Sequence, residues 1–321
     1  MNSRQKARLI FNHASTGEGC MWTGHPNYQT IPIYAEKWCI EPTAEAIFSY
    51  VQDDCRWISA DDNDTNPGIV ADGSFAEAET IADLDFYKWP NPEQCDFTKI
   101  YHEIDQHQDK MIFTGMWSPF FHHVADFFGM EKYFINMYEN PKLVEAVTEK
   151  ILDYYIEMND KFFQGLGDRA DVMFFGNDFG TQLDLFISPE KFREFVLPSL
   201  KKLINVGKKY NKKIMLHSCG SIFRVIPDLI DAGVDILHPI QAQARGMSAK
   251  ELVQFKNDLS FVGGIDAQSF FVNATPQQIK DEVKRVRDVL GPNIIISPSH
   301  EEILPNVPAE NILAMAQAAR E

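Results

Sequence analysis

The chain holds 321 residues, 45% hydrophobic and 24% charged, ordinary globular values that leave room for one large core or two smaller ones. Its net charge of −16, from 30 Lys and Arg against 46 Asp and Glu, repels phosphate backbones and argues against a nucleic-acid partner. No window approaches the ~18 apolar residues of a membrane span. The opening stretch MNSRQKARLIFNHAS has no apolar h-region, so no membrane partner and a cytoplasmic location are expected.

The five cysteines, Cys20, Cys39, Cys55, Cys95 and Cys219, are odd in number and irregularly spaced. With no CxxC among them they read mostly as buried small residues, not as bridges or a zinc ribbon. Residues 1–110 are aromatic-rich and read as an irregular N-terminal part. GCMW (19–22) and CRWIS (55–59) are short strand candidates there. The polar loop 61–73 carries the turn signal Asn66-Pro67-Gly68 and reads as a hairpin or lid.

From residue 111 onward, short apolar runs alternate with amphipathic stretches. The runs are MIFTG (111–115), DVMFFG (171–176), KIMLH (213–217), VDILHPI (234–240), LSFVGG (259–264) and NIIIS (293–297). Each is too short for a helix and nearly all apolar, as parallel strands covered on both faces are. Between them the spacing predicts helices over 141–163, from the Ser188-Pro189 cap towards 210, over 222–232 ending at Gly233, from Thr275-Pro276 to Leu290, and over 308–319. Eight alternating β and α units predict one α/β domain over 1–321, a single (β/α)8 TIM barrel with an N-terminal elaboration. An open doubly wound sheet lacks support, because no GxGxxG follows the first strand.

In such a barrel the chemistry collects just past the strand ends. Those positions carry Asn177, Asp178 and Gln182; His217 and Cys219; Gln241; Asp266; and His300. His217 and Cys219, two residues apart, offer imidazole and thiolate, both good zinc ligands. His300, after the last strand, would complete three protein ligands with one open position. Its other reading is substrate hydrogen bonding or catalysis without metal. Asp178 reads as a general acid or base, a substrate anchor, or a partner to a metal ligand. Trp22, His25, Asn177, Gln182, Gln241 and Asp266 are candidate pocket residues. His122 and His123 are adjacent on a helix start, so at most one is expected to point inward.

These strand ends, in this order, resemble the uroporphyrinogen decarboxylase superfamily. The matching stretches are NDFGTQLDLFISPEKFREFVLPSLKKL, IMLHSCGSIFRVIPDLIDAGVDILHPIQ, FVGGIDAQSFFVNATPQQI and ISPSHEEILPNVPAENI, over about residues 171–312. The resemblance implies a (β/α)8 barrel and one of two chemistries. The decarboxylase branch is cofactor-free and grips propionates with an arginine-rich RQAGRY-type stretch. Here that region reads GCMWTGHPNYQTIPIYAEKW, without arginine, although His300 matches a histidine of that branch. The other branch holds zinc-dependent methyltransferases that work with a corrinoid on a partner protein. His217-x-Cys219 resembles two of its zinc ligands, and Pro298-Ser299-His300 stands where its third ligand is a cysteine.

The expectation is therefore an enzyme: a zinc-dependent methyltransferase with Zn²⁺ on His217, Cys219 and His300. It would move a methyl group between a small thiol, methoxy or methylamine-type substrate and a corrinoid carrier. The alternatives are a carboxy-lyase of the uroporphyrinogen type, using Asp178 or His300 as proton donor, and a non-catalytic barrel that binds a corrinoid protein.

Overall fold

The computed structural model describes residues 1–62 and 66–321. Part of the predicted 61–73 loop therefore lies outside the described residues. Among the described residues there are ten strands: β1 (Cys20–Met21), β2 (His25–Pro26), β3 (Cys55–Ser59), β4 (Met111–Gly115), β5 (Val172–Gly176), β6 (Lys213–His217), β7 (Ile236–Ile240), β8 (Ser260–Ile265), β9 (Ile294–Pro298) and β10 (Glu302–Ile303). Eight of them form one parallel sheet in the order β1-β9-β8-β7-β6-β5-β4-β3, the (β/α)8 barrel read from the sequence.

The strands are buried on both faces, which is why they read as apolar runs rather than as alternating patterns. Inward-facing residues two apart, such as Met111 and Phe113 or Val172 and Phe174, fill the barrel together with Cys20, Trp22, Cys55 and Met215. Among its described residues, the expected irregular N-terminal part holds four α-helices: Ser3–Ile10, Thr30–Trp38, Ala44–Val51 and Thr98–Asp105. The first, capped by a reciprocal Asn2–Gln5 box, presses Ala7 and Ile10 into the inner core, and Phe11 follows them, so the barrel is corked at its amino-terminal end.

The predicted helices are found at Pro141–Leu166, Ile226–Ala232, Pro276–Leu290 and Ala309–Ala318, with Gly233 closing its helix at φ 102°. The helix expected from 188 to 210 begins on the Ser188 cap but widens to a π turn over Phe192–Val196. Pro198 sits just beyond and lacks the N–H that an α turn would use there. No described helix is long and apolar enough to cross a membrane.

The seam between β1 and β3 is closed largely by side chains. Asp54 donates its N–H to Met21 O at 3.1 Å and accepts the Met21 N–H on Oδ2 at 3.0 Å. Asp53 accepts Thr23 N–H at 2.7 Å and Cys55 N–H at 2.9 Å. Burial pushes the Asp53 carboxyl up to about 6, and the charge of Arg56 and these donors only partly counter it.

A raised carboxyl pKa favours the fold below the unfolded value, near 3.8, and that stability is lost as pH rises through about 6. Between about pH 5 and about pH 7.5 the wild type should lose about 1 kcal/mol relative to Asp53→Asn. Urea unfolding of both proteins at the two pH values measures this, and a pH-independent difference would contradict it.

Candidate active site at the barrel mouth

Adjacent parallel strands deliver the central residues. β5 and β6 pair with Gly176 opposite His217, and β6 and β7 pair with His217 opposite His238. Asp178 and Cys219, each two residues past these paired positions, therefore meet over neighbouring strand ends. The Cys219 N–H donates to Asp178 Oδ1 at 2.7 Å. His217 Nε2 lies 3.3 Å from Asp178 Oδ1 and 3.4 Å from Cys219 Sγ. One ligand atom from each residue falls within 4.8 Å of the others.

Burial is the largest single influence and would drive a proton off His217, but hydrogen bonding to Asp178 and Cys219 and the charge of Glu301 together outweigh it and raise the imidazole pKa. Asp178 is correspondingly held below the ordinary carboxylate range, because His217 and the Cys219 N–H outweigh its burial. An aspartate so held is ionised at neutral pH, which fits a ligand or an orienting group and not a proton donor.

The other edge of His217 is fixed too. Its Nδ1 lies 3.0 Å from His238 Nδ1 and 3.7 Å from Glu301 Oε2. His238 is fully buried, and burial holds it neutral. It can therefore accept the Nδ1 proton of His217, leaving His217 Nε2 to face Asp178 and Cys219. The Trp117 ring lies 5.1 Å from the His217 ring. Only glycine fits beneath it, since a Cβ on Gly176 would strike that indole.

The loop after β6 depends on a second glycine. Gly220 has φ +84°, and a Cβ there would drive into the Gly180 carbonyl of the loop after β5. Gly220→Ala should cost about 2–4 kcal/mol and spread Asp178 from Cys219. Chemical denaturation checks the first effect, and a loss under about 0.5 kcal/mol would contradict it.

The remaining candidates fall in different places. His300 is not in the three-residue group: its side chain is 42% exposed, and Nδ1 accepts the Glu302 N–H at 3.0 Å. The loop turns there because β10 pairs with β2, placing Glu302 opposite His25. Glu301, which the sequence reading passed over, is the residue this turn aims at His217.

Trp22 is buried in the inner core against Phe113 and His238, away from any open wall. Asn177 spends its amide on Phe121 N–H and Ser118 O, tying the loop after β5 to the helix Phe120–Phe128. Gln241 accepts the Gly220 N–H, and Asp266 accepts the N–H groups of Gln268, Ser269 and Phe270. These three are braces. Gln182 is exposed on the rim, where its carbonyl accepts the Arg245 N–H. His122 and His123 both border the site, against expectation. His122 Nε2 accepts the Asp178 N–H at 2.9 Å, while His123 Nδ1 lies 3.2 Å from the Tyr155 hydroxyl.

A cavity of about 700 Å³ opens beside this centre, a size suited to a small molecule. His25, Trp57, Asp61, Trp117, His123 and Glu301 are among its walls. Trp57, Trp117 and Asp61 were not singled out as site residues beforehand. Inward alternation along CRWIS marks Trp57, but nothing local marks the other two. A cavity of about 710 Å³ near Gly19, Lys284 and Gly291 lies at the other end of the barrel and carries none of the donor groups.

A ring nitrogen, a thiol sulfur and a carboxylate oxygen are donors that Zn²⁺ takes. Two such ligands on one tetrahedral ion lie about 3.3–3.6 Å apart, and the two separations from His217, 3.3 and 3.4 Å, fit that spacing.

The comparisons with known proteins bear on the fold and the family. A methylated-thiol–coenzyme M methyltransferase of Methanosarcina mazei is 27% identical over 135 residues, covering 42% of this chain and 34% of that protein. The methylcobamide:CoM methyltransferase MtbA of Methanosarcina acetivorans is 22% identical over 216 residues, covering 65% and 58%. The chain thus spans between about a third and three-fifths of these relatives' lengths. A solved methyltransferase from Methanosarcina mazei superposes with a TM-score of 0.73 over 99% of this chain and 98% of its own, at 16% identity, a likeness of fold. Residues 79–321 match the sequence profile described as uroporphyrinogen decarboxylase (URO-D). That stretch takes in β4 to β10 and the whole Asp178–His217–Cys219 group, and the chain belongs to the uroporphyrinogen decarboxylase (URO-D) family.

Proposed function

We propose that the chain is a zinc-dependent methyltransferase that moves a methyl group between a small thiol or other heteroatom substrate and a corrinoid carried by a partner protein. The observation that carries this reading is the convergence of Asp178, His217 and Cys219 within 4.8 Å at the carboxyl ends of adjacent strands. Relatives named as methyltransferases acting with coenzyme M and a methylcobamide support the reaction class.

In this reading His217 and Cys219 hold the ion, and Asp178 takes the third place that the sequence assigned to His300. Zinc, when bound, supplies Lewis acidity that lowers the pKa of a thiol at its open position. The chain's own residues prepare the place. His238 fixes the His217 ring, the Asp178–Cys219 N–H bond fixes the loop, and Trp117 shields His217 from water on one face. His300 stands at the rim as a substrate-contacting group.

A metal-free decarboxylase of the uroporphyrinogen type fits less well. Among the described residues the cavity wall carries no Lys or Arg to grip a polycarboxylate.

Zinc-loaded protein incubated with methylcobalamin and a panel of small thiols should demethylate the corrinoid, seen as a change in its visible spectrum. The same protein should leave uroporphyrinogen unchanged in anaerobic assay. Turnover of the porphyrinogen with no methyl transfer to any thiol would reverse the assignment.

A further inference from the structure

The cavity beside His217 has an unusual wall for a site whose relatives are named for coenzyme M. Four aromatic rings line it, Trp57, Trp117, Tyr154 and Tyr155, with the two indoles 5.2 Å apart at 41°. Three carboxylates, Asp61, Asp62 and Glu301, share the same wall. No Lys or Arg is among its described residues. Of its two histidines, His123 is held neutral by burial, with a pKa pushed down to about 4, and His25 Nε2 lies 3.2 Å from the Trp57 carbonyl.

Among the described residues, two buried polar atoms in the wall have no hydrogen-bond partner: Glu301 Oε2 and Trp57 Nε1. A carboxylate oxygen shut away from water without a donor is costly unless a cation or a donor reaches it. The ring nitrogens facing it, His217 Nδ1 at 3.7 Å and His300 Nδ1 at 4.0 Å, are both beyond hydrogen-bond length. Asp61, by contrast, is anchored through Oδ2 by the Trp117 N–H and the Ser59 hydroxyl, so it is aimed rather than free.

Aromatic faces and carboxylates together attract the same ligand chemistry. A ring quadrupole favours a cation, most of all one too bulky or too methylated to be well hydrated, and the carboxylates supply its counter-charge. An anionic thiol would enter against three negative groups.

The placement along the chain separates the two halves of the site. The Asp178, His217 and Cys219 donors all fall within the family match over 79–321, whereas His25, Trp57, Asp61 and Asp62 precede it. The reacting end of the site thus lies inside the stretch that matches the family profile, and half of the cavity wall lies before it.

We propose that this cavity binds the positively charged end, an ammonium or quaternary ammonium group, of a small thiol or thioether substrate. It rests on the methyltransferase reading above and gives that reading a substrate class, an aminothiol or its methylated form. The sulfur would face the His217 and Cys219 end, and the cation would sit between the indoles and Asp61 and Glu301.

The test is equilibrium binding to the full chain, followed by quenching of tryptophan fluorescence and by calorimetry. The probes are choline, its neutral carbon isostere with a tertiary butyl group, and an alkyl sulfonate of similar size. Choline should bind at least about tenfold more tightly than the isostere, and the preference should shrink as salt is added. Asp61→Asn and Glu301→Gln should each remove most of the preference while changing the affinity of the isostere less than about twofold. That second arm separates lost charge recognition from a disturbed fold.

Equal binding of choline and the isostere, tighter binding of the sulfonate, or no binding of choline would each overturn the proposal. None of these readouts involves zinc or methyl transfer, so the methyltransferase reading stands or falls separately, on the corrinoid assay.

Discussion

His217→Ala and Cys219→Ala are each expected to abolish zinc retention, from about one ion per chain to a small fraction of that, and to lower methyl transfer at least about 100-fold. The reason is geometric. The three donors come from two adjacent strand ends, and the loop that carries Cys219 is pinned to Asp178 by one backbone hydrogen bond. Removing the imidazole leaves a thiol and a carboxylate, too few ligands to hold a catalytic ion against dilution.

The same experiment arbitrates the third position. Asp178→Asn should weaken zinc retention about 10–100-fold, while His300→Ala should leave it bound. His300 lies outside the cluster, with its Nδ1 turned to the Glu302 N–H. Elemental analysis of protein purified without chelator reads all four variants. Full metal content in His217→Ala would remove the basis of the assignment. Loss in His300→Ala with retention in Asp178→Asn would restore the ligand set read from the sequence.

Asp54→Ala should lower the unfolding free energy by about 3–5 kcal/mol, a large share of the total for a domain. Asp54 is 2% exposed and accepts the Met21 N–H and the Ser3 hydroxyl, with Lys6 Nζ at 3.4 Å and Arg320 at 3.7 Å. Its removal strands two cations and a strand donor at the one join where the sheet has no regular ladder. Asp54→Asn keeps an acceptor for Met21 but not the charge, so its loss should be intermediate. Urea titration at neutral pH measures both, and a loss below about 1 kcal/mol for the alanine variant would contradict this account of the seam.

The barrel could be read from sequence because both faces of its strands are covered. VMFFG and IMLH have no competing reading as exposed elements, and Ser188, Gly233 and Thr275 mark helix ends by local chemistry alone. The His217–Cys219 pair was legible for a similar reason, being adjacent in the chain at a strand end.

Asp178 was read as an acid or base, an anchor or a partner to a metal ligand, but not as the residue that clusters with the pair, because that proximity is a property of the sheet. Asp178 and Cys219 are 41 residues apart, yet they follow strands that pair directly, whereas His300 follows a strand three places further round. Neighbouring strands share a stretch of rim, and that rule would have favoured Asp178. Glu301 was missed because a turn decides which of two adjacent residues points inward, and the β2–β10 pairing that sets this turn joins residues 277 positions apart. Trp57, Trp117 and Asp61 meet only once β3 and β4 are side by side.

The helix Ser3–Ile10, packed across the amino-terminal end of the barrel, closes that end, and in the proposed reading the approach to the centre is from the opposite mouth. A small reactant and a carrier protein reaching for the same centre would have to share it. The smaller would then enter first and be sealed in as the larger docks, and its product would wait for undocking. Order of arrival would follow from the cork at the far end, with no switch or moving part required.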